Sequence, residues 1–362
     1  MKRCLLSVIA VLALFFSEVR AATPKFVFQQ GDNVSLIGAT LAERMQYFGH
    51  VEALLHANHP ELKLSFRNLA FSADEVGFRP RSLNFGEPDQ HLTHSQTDVV
   101  FAFFGFNESF AGEAGLEKFE NDLRTFVKET LKQRYNGNSA PRLVLFTPIP
   151  HEDLKNPNLP DGSANNANIA MYSQVMKKVA DEESIPFVDL FTPTQKLMLQ
   201  EKEHLSFNGI HLTDTGYQKL SPVFYEALLQ EKPKDKASSQ LLAEVQEKNY
   251  QWFQRYRAVN GYYIYGARNK VWNNEQVMEN ERAKLDEMCA VVDQRIWQLV
   301  SGEKISPSPD YSGTRGYVPV ETNYKEEITI LPPEEAIKQF HVADGYEVNL
   351  FASEVEFPDI EN

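Results

Sequence analysis

The sequence predicts an α/β protein whose main domain has three layers, α/β/α, around a five-stranded parallel sheet. Five short apolar runs alternate with helical stretches between residues 25 and 230. The runs are almost continuously apolar, which is typical of strands buried on both faces, and such strands form parallel sheets covered by helices. The predicted strands are residues 34–37, 62–69, 99–104, 143–147 and 187–190. The predicted helices are residues 41–58, 116–135, 166–181 and 213–229.

Composition and charge narrow the classes of function. The chain has 362 residues, 42% of them hydrophobic, and a formal net charge of −14. Ordinary hydrophobic content excludes wholesale disorder. The acidic balance argues against nucleic acid or an anionic membrane surface as the main partner.

The N-terminus predicts a cleavable signal peptide over residues 1–21. Lys2 and Arg3 precede an apolar run at 5–16, which is too short to span a bilayer comfortably, and cleavage is expected after Ala21. An N-terminal membrane anchor is the alternative. Cys289 would be the one cysteine of the mature chain, so no intrachain disulfide is expected there. We therefore expect a periplasmic or extracellular protein.

The rest of the chain divides by composition. Residues 22–230 carry the strand and helix alternation, and residues 231–300 predict a helical extension rich in aromatic and Arg residues. Residues 301–332 contain a Pro-, Gly- and Ser-rich stretch that is typical of a linker. Residues 333–362 predict the start of a further, strand-bearing module that is incomplete.

Polar residues follow several predicted strands. Thr40 lies after the first strand, Asn107 after the third, and Asn208 and His211 before the last helix. Each has a simpler interpretation: Thr40 as a helix cap, Asn107 in a turn, and His211 as an ordinary loop residue. Because ligands bind at the carboxyl ends of parallel strands, we expect these side chains to meet in one cleft.

Four motifs in order, GATLAER, NLAFSAD, GFNES and NGIHLTD, resemble the SGNH (GDSL-like) hydrolase family. The resemblance implies that Thr40 stands at the position of the family's nucleophilic Ser and that His211 is the general base, oriented by Asn208. It also implies an oxyanion hole made of the Thr40 and Ala70 backbone N–H groups and the Asn107 amide. The expected fold is then the SGNH, flavodoxin-like arrangement.

Two departures from the family pattern matter for chemistry. Thr40 keeps a hydroxyl but adds a methyl group that restricts its χ1 angle. Asn208 replaces an acid, and the same replacement in a serine protease lowers kcat about 10⁴-fold. We expect an exported hydrolase of acyl esters, with acylated carbohydrates as one candidate substrate class. The alternative is a degenerate SGNH-fold module that binds a glycan or acyl ligand without cleaving it. Asp214 and Glu43 are two further carboxylates that could take the place of the missing acid. Asp214 is instead expected to cap the last helix or interact with its dipole in the first turn.

The motifs further resemble a divergent branch of the family in large exported proteins of planctomycete-type bacteria. There a similar domain precedes a dehydrogenase-like β-propeller and a c-type haem module. The segment ADGYEVNLFASEVEFPDIEN is similar to the opening strand of that propeller, which implies such a module as a downstream partner. No cofactor is expected on this chain, since the sequence has no nucleotide-binding glycine loop and no clustered metal ligands.

Overall fold

The computed structural model describes residues 24–82, 84–257, 261–322 and 329–353. The predicted signal peptide lies outside these ranges. Within them, no helix is long and apolar enough to cross a membrane. The described chain forms two compact units, the first ending at Pro319 and the second beginning at Val320.

The first unit contains a five-stranded sheet in the order β2-β1-β3-β4-β5, with every neighbouring pair parallel. The predicted fold class is therefore confirmed. The strands are β1 (Asn33–Gly38), β2 (Ser65–Asn68), β3 (Val99–Phe103), β4 (Arg142–Phe146) and β5 (Phe187–Val188). Each lies inside or within a residue of a predicted run, although β2 and β5 are shorter than predicted.

Helices connect the strands and cover both faces of the sheet. They are α1 (Thr40–Phe48), α2 (His50–Asn58), α3 (Pro88–His94), α4 (Leu116–Lys132), α5 (Ser163–Glu183), α6 (Phe191–Gln200), α7 (Asp214–Leu229), α8 (Ser239–Tyr256), α9 (Gly261–Ile264) and α10 (Asn274–Val300). Short 3₁₀ turns occupy Glu108–Gly115, which is kinked at Gly112, and Ala267–Lys270.

Alternate residues of the central strand face opposite layers, as the two-residue repeat of a strand requires. Phe101 and Phe103 of β3 belong to the apolar cluster that contains α1, α2 and α7 residues. Val100 and Ala102 belong to the cluster that contains α4 and α5 residues. All five β3 residues are buried, which explains the uninterrupted apolar run in the sequence.

The prediction of a single helix over residues 41–58 is wrong in one respect. The segment forms two helices, α1 and α2, separated by Gly49. Gly49 ends α1 in the left-handed conformation, with φ of +71°, and its N–H donates to the Met45 carbonyl. A Cβ atom on Gly49 would lie 3.0 Å from Val245 of α8. The break therefore lets α8 approach the α1–α2 junction closely.

The helical extension packs on the outer edge of the sheet. Edge strand β2 exposes backbone carbonyls at alternate residues, and three side chains of the extension bond to them. Trp297 Nε1 donates to Leu64 O at 2.8 Å, Lys248 Nζ to Phe66 O at 3.1 Å, and Trp252 Nε1 to Asn68 O at 2.8 Å. Unpaired sheet edges otherwise invite association with other chains, so the extension protects this edge.

The first unit runs past the predicted domain end at residue 230 and includes part of the predicted linker. Arg295 of α10 bonds the backbone oxygen of Ser306 at 2.9 Å, and Tyr311 donates to Glu247 at 2.6 Å. The domain boundaries remain predictions about which segments fold independently.

The second unit is described by itself. It contains the short helix α11 (Pro333–Ala336) and a 3₁₀ turn at Ile337–Gln339. Residues 329–353 contain no β-strand, and Phe340, Tyr346 and Phe351 are exposed. The predicted further module stays a prediction, and its last residues, 354–362, lie outside the described ranges.

Candidate active site

Thr40 lies at the first turn of α1, directly after β1. The N-cap residue of α1 is Ala39, whose side chain accepts no hydrogen bond, so the interpretation of Thr40 as the helix cap is wrong. Thr40 is the first helical residue and is half-buried. Its backbone N–H has no acceptor within the helix, since the first four N–H groups of a helix never do. That N–H and the helix dipole favour negative charge beside the Thr40 hydroxyl.

Thr40 and His211 line the same narrow pocket at the carboxyl ends of β1, β3 and β4. The pocket has a cavity volume of about 30 Å³. Its other walls are mostly apolar: Ala39, Leu41, Phe103, Phe104, Phe106, Thr147, Pro148, Ile149, Ile210 and Tyr217. The residues predicted as nucleophile and base therefore line one pocket, at the end of the sheet where parallel α/β folds bind ligands.

The amide of Asn208 contacts His211 with its nitrogen. Asn208 Oδ1 accepts from the backbone N–H of Ile210 at 3.1 Å and of His211 at 2.9 Å. Asn208 Nδ2 lies 2.9 Å from His211 Nδ1. Because the oxygen already accepts two N–H groups, the nitrogen must be the atom that faces the ring.

His211 is further held by an aromatic neighbour. The ring of Phe207 stacks on the imidazole, with centroids 5.6 Å apart and planes 22° apart. Phe207 is itself 56% exposed, so it presents an aromatic face to solvent next to the pocket. Burial lowers the pKa of His211, and the positive charge of Arg44 lowers it further, while Glu43 opposes this shift. These effects together favour the neutral form of the imidazole.

Two of the three predicted oxyanion donors already have partners inside the protein. The Ala70 N–H donates to Asn68 Oδ1 at 3.1 Å, and Ala70 is fully buried. The Asn107 amide donates to the Asp74 backbone oxygen at 3.2 Å, which leaves one of its two N–H bonds for another acceptor.

Glu108 fixes the loop that carries Asn107. Its carboxylate accepts from the backbone N–H of Val76 at 2.8 Å and of Gly105 at 2.9 Å. Burial raises the pKa of Glu108, although these backbone bonds oppose the rise. The carboxylate thus ties the loop after β3 to the loop after β2.

Sequence reasoning missed Glu152, which anchors the loop that carries His211. Its buried carboxylate accepts from the N–H of Leu205 at 3.0 Å, and from the N–H and hydroxyl of Ser206 at 2.8 and 2.6 Å. The available signal was a carboxylate just after the fourth strand, in the motif PIPHED.

Gly209 permits the tight turn between Asn208 and His211. Its φ is +87°, in the region that favours glycine, and a Cβ atom there would lie 2.5 Å from His151 Nε2. The turn therefore needs glycine for its conformation and for its packing against His151.

The two further carboxylates are hydrogen-bonded or ion-paired to groups other than His211. Asp214 lies in the first turn of α7, as predicted, and its Oδ1 is 2.8 Å from His50 Nε2. Glu43 accepts from the Tyr47 hydroxyl at 2.6 Å and lies 3.3 Å from the Arg257 guanidinium. Across the described ranges, no three His, Cys, Asp or Glu side chains come together as metal ligands would.

The fold and this pocket define an α/β/α protein with a hydroxyl and an imidazole at the end of its sheet. The model of the GDSL-like Lipase/Acylhydrolase family matches residues 37–219. The chain belongs to this family and is therefore an ester-hydrolysing enzyme by class, as the motifs indicated.

Solved structures show more distant similarity. A gut microbial diltiazem-metabolizing enzyme is 16% identical, with a TM-score of 0.44, and the alignment covers 57% of this chain. That alignment spans 48% of the other enzyme, about half its length. An acetylxylan esterase from Geobacillus stearothermophilus is 19% identical, with a TM-score of 0.41, covering 55% of this chain and 95% of that one. No curated protein matches the chain.

Proposed function

We propose that this protein hydrolyses short acyl esters, with Thr40 as nucleophile and His211 as general base. The observation that supports this most is that both residues line one pocket at the carboxyl ends of the central strands. The pocket combines an apolar wall for an acyl group with two polar groups for chemistry, which is the usual composition of a small-molecule site.

The reaction has two steps. Thr40 Oγ1 attacks the ester carbonyl carbon while its proton passes to His211 Nε2, and the C–O bond to the alcohol breaks as that proton is returned to the leaving oxygen. A water molecule then attacks the acyl-Thr40 ester, with His211 as base again, and releases the carboxylic acid and the free hydroxyl. For Nε2 to take this proton, Nδ1 must carry the other one, so the amide of Asn208 must then present its oxygen to the ring.

The developing negative charge on the carbonyl oxygen needs donors. The Thr40 N–H lies at a helix N-terminus, which supports its role as the first of these. The free N–H of the Asn107 amide is the second donor we propose. Ala70 N–H is the third, and it requires release from Asn68 Oδ1 when substrate binds.

The pocket dimensions support a small acyl group. A cavity of about 10–15 Å³ holds one water by the same measure, so 30 Å³ has room for roughly two waters or an acetyl group. The alcohol part of the substrate would lie outside the pocket, beside the exposed Phe207 ring. We propose acylated carbohydrate for this part, since the exposed Phe207 ring offers an apolar face against which the C–H groups of a sugar can pack.

The test is hydrolysis of p-nitrophenyl acetate by the purified protein. Thr40→Ala is expected to lose the enzyme-dependent rate, whereas Thr125→Ala, which changes an exposed threonine on α4, is expected to keep it. Equal rates for wild type and Thr40→Ala would show that Thr40 is not the nucleophile. Release of acetate from acetylated xylo-oligosaccharides tests the proposed carbohydrate substrate.

A second candidate function is binding without hydrolysis, in which the cleft holds a glycan or acyl ligand but does not cleave it. It is supported by the intraprotein partner of the Ala70 N–H and by the substitution at Asn208. This candidate predicts that acetylated oligosaccharides bind but stay intact, and that Thr40→Ala binds them as well as wild type does.

We also propose that the protein is exported after removal of residues 1–21 and that a propeller and haem module, encoded downstream, acts with it. The charged, apolar and small-residue order of the N-terminus supports export. N-terminal sequencing of the protein from a cell envelope fraction is expected to begin at Ala22. A full-length cytoplasmic product would contradict export, and absence of a haem protein from affinity-purified complexes would contradict the partner.

A further inference from the structure

The orientation of the Asn208 amide is determined by its backbone contacts. Its oxygen accepts the N–H groups of Ile210 and His211 within the turn. Rotating the amide by 180° would place an NH₂ group against those two donors, and both hydrogen bonds would be lost. Two backbone donors would then be left unpaired, which is more costly than the loss of the bonds alone.

This orientation dictates the proton position on His211. Asn208 Nδ2 is a donor only, so Nδ1 of the ring, 2.9 Å away, must be the acceptor. In a neutral imidazole one nitrogen accepts and the other carries the proton. The proton of the neutral His211 ring then lies on Nε2, the nitrogen left for the pocket.

A general base needs the opposite arrangement. To take the Thr40 proton, Nε2 must present a lone pair, and Nδ1 must carry a proton that a partner accepts. The acid of a catalytic triad accepts that proton and so selects the productive tautomer. Asn208 in its observed orientation selects the other one.

We propose that Asn208 is a positioning residue that keeps the proton of His211 on Nε2, so that the ring offers a donor to the pocket and hydrolysis is held at a low rate. This proposal rests on the proposed function and adds to it a structural control on its rate. In this state the Nε2–H group binds the carbonyl or carboxylate oxygen of an acyl ligand. The site would hold such ligands well and cleave them slowly.

Asn208→Asp is the variant that separates these effects. An aspartate keeps an oxygen for the two backbone N–H groups and supplies a second oxygen to accept Nδ1–H. We expect the proton to move to Nδ1 and kcat for p-nitrophenyl acetate to rise by 10²- to 10⁴-fold, with little change in KM. The upper figure is about the loss caused by the reverse substitution in a serine protease.

The direct measurement is the tautomer itself. Protein labelled with ¹⁵N-histidine gives long-range ¹H–¹⁵N correlations that distinguish the two neutral forms, and His211→Gln identifies the correct signals. Wild type is expected to show the proton on Nε2, and Asn208→Asp the proton on Nδ1. Asn138→Asp, in an exposed loop, is expected to leave both the signals and the rate unchanged.

The pH profile gives a second readout. Arg44 and Glu43, both on α1, are the charged groups that act on His211 in the wild type. A carboxylate at position 208 favours the imidazolium, so the pH at which Asn208→Asp gains activity is expected to be higher than for wild type.

Two results would overturn the proposal: a wild-type His211 protonated on Nδ1, or an Asn208→Asp protein whose proton stays on Nε2. The first does not need the Asn208→Asp protein, so it decides the matter even if that variant fails to fold. If the proton moves to Nδ1 but no ester is cleaved, the tautomer assignment holds and the nucleophile assigned to Thr40 is wrong.

Discussion

The side-chain amide of Asn208 donates a hydrogen bond to His211 Nδ1 over 2.9 Å. A triad acid would accept a hydrogen bond at this point, so the direction of the bond is reversed while its geometry is kept. The pocket therefore combines a hydroxyl and an imidazole with one contact that opposes the proton transfer required by the mechanism we propose.

The methyl group of Thr40 gives the first prediction. Thr40→Ser keeps the hydroxyl and removes the branch that restricts χ1 and crowds the attacking oxygen. We expect kcat to rise on the order of tenfold, which corresponds to about 1.4 kcal/mol in the barrier. Steady-state kinetics with p-nitrophenyl acetate measures this, and a Thr40→Ser enzyme slower than wild type would contradict it.

The small pocket predicts selectivity for acyl chain length. We expect kcat/KM to fall from acetyl to butyryl to hexanoyl esters, because the cavity has room for about two waters. Ile210→Ala should make kcat/KM fall less steeply with acyl chain length, because Ile210 lines the pocket and a smaller side chain there enlarges it. Ile210 is only half-buried, so the substitution should be tolerated by the fold.

The control for this prediction is Leu199→Ala. Leu199 is 81% exposed on α6 and lies outside the pocket lining. Equal preference for acetyl and hexanoyl esters in the wild-type protein would show that the pocket does not hold the acyl group.

The sequence indicated that Thr40 and His211 would share one cleft, but it did not indicate the contacts around them. Thr40 and His211 follow from motif order and from the convergence of strand ends. The role of Glu152 did not, because a carboxylate that binds backbone N–H groups 53 and 54 residues away leaves no periodic signal. The partner of Asn107 was also beyond the sequence, since Asp74 lies 33 positions away. The partner of Ala70 is local, because Asn68 lies two positions earlier, and Asn side chains commonly bond the backbone two residues on.

The buried Lys248 predicts that the extension is needed for stability. Its ammonium group is fully buried, 2.8 Å from Glu52 Oε2 and 2.7 Å from Asn249 Oδ1. Lys248→Met keeps the apolar stem but leaves the Glu52 charge uncompensated, which costs about 3–5 kcal/mol of unfolding free energy. Urea denaturation measures the loss.

Two further variants complete that experiment. Glu52→Gln in the Lys248→Met background should recover part of the loss, because the uncompensated charge is removed. Lys219→Ala breaks the exposed ion pair with Glu201 and should cost less than about 1 kcal/mol. A Lys248→Met protein as stable as Lys219→Ala would contradict the structural role of the extension.

His91 predicts a loss of stability in mild acid. Burial lowers its pKa to about 4, even though the Phe85 carbonyl, 3.0 Å from Nε2, opposes the shift. The unfolded chain binds this proton near pH 6.5 and the folded chain only near pH 4. The contribution of His91 to the free energy of unfolding is therefore fully present above about pH 6.5. It falls as the pH drops towards 4, by up to about 1.4 kcal/mol per pH unit.

Urea denaturation at several pH values between 7.5 and 4.5 measures this slope. His91→Gln keeps a donor for the Phe85 carbonyl and removes the titration, so its slope should be smaller than that of wild type. His341→Gln changes an exposed histidine and should leave the slope as it is. Identical slopes for His91→Gln and wild type would contradict the assignment.

The fold was predicted to the level of strand order along the chain, because burial on both faces leaves continuous apolar runs. The break at Gly49 was not, since a helix interrupted for one residue keeps its apolar periodicity on both sides. The bonds from Trp297, Lys248 and Trp252 to the edge of β2 depend on contacts between residues about 180 or more positions apart, and the aromatic content of the extension indicated packing without showing its partner.

The most direct test of the central claim is covalent labelling of the nucleophile. Wild-type and Asn208→Asp proteins are treated with a fluorophosphonate probe, digested and analysed by tandem mass spectrometry. We predict one phosphonate adduct, on Thr40, that forms faster in Asn208→Asp than in wild type. An adduct on another residue, or none on Thr40 in either protein, would contradict the account.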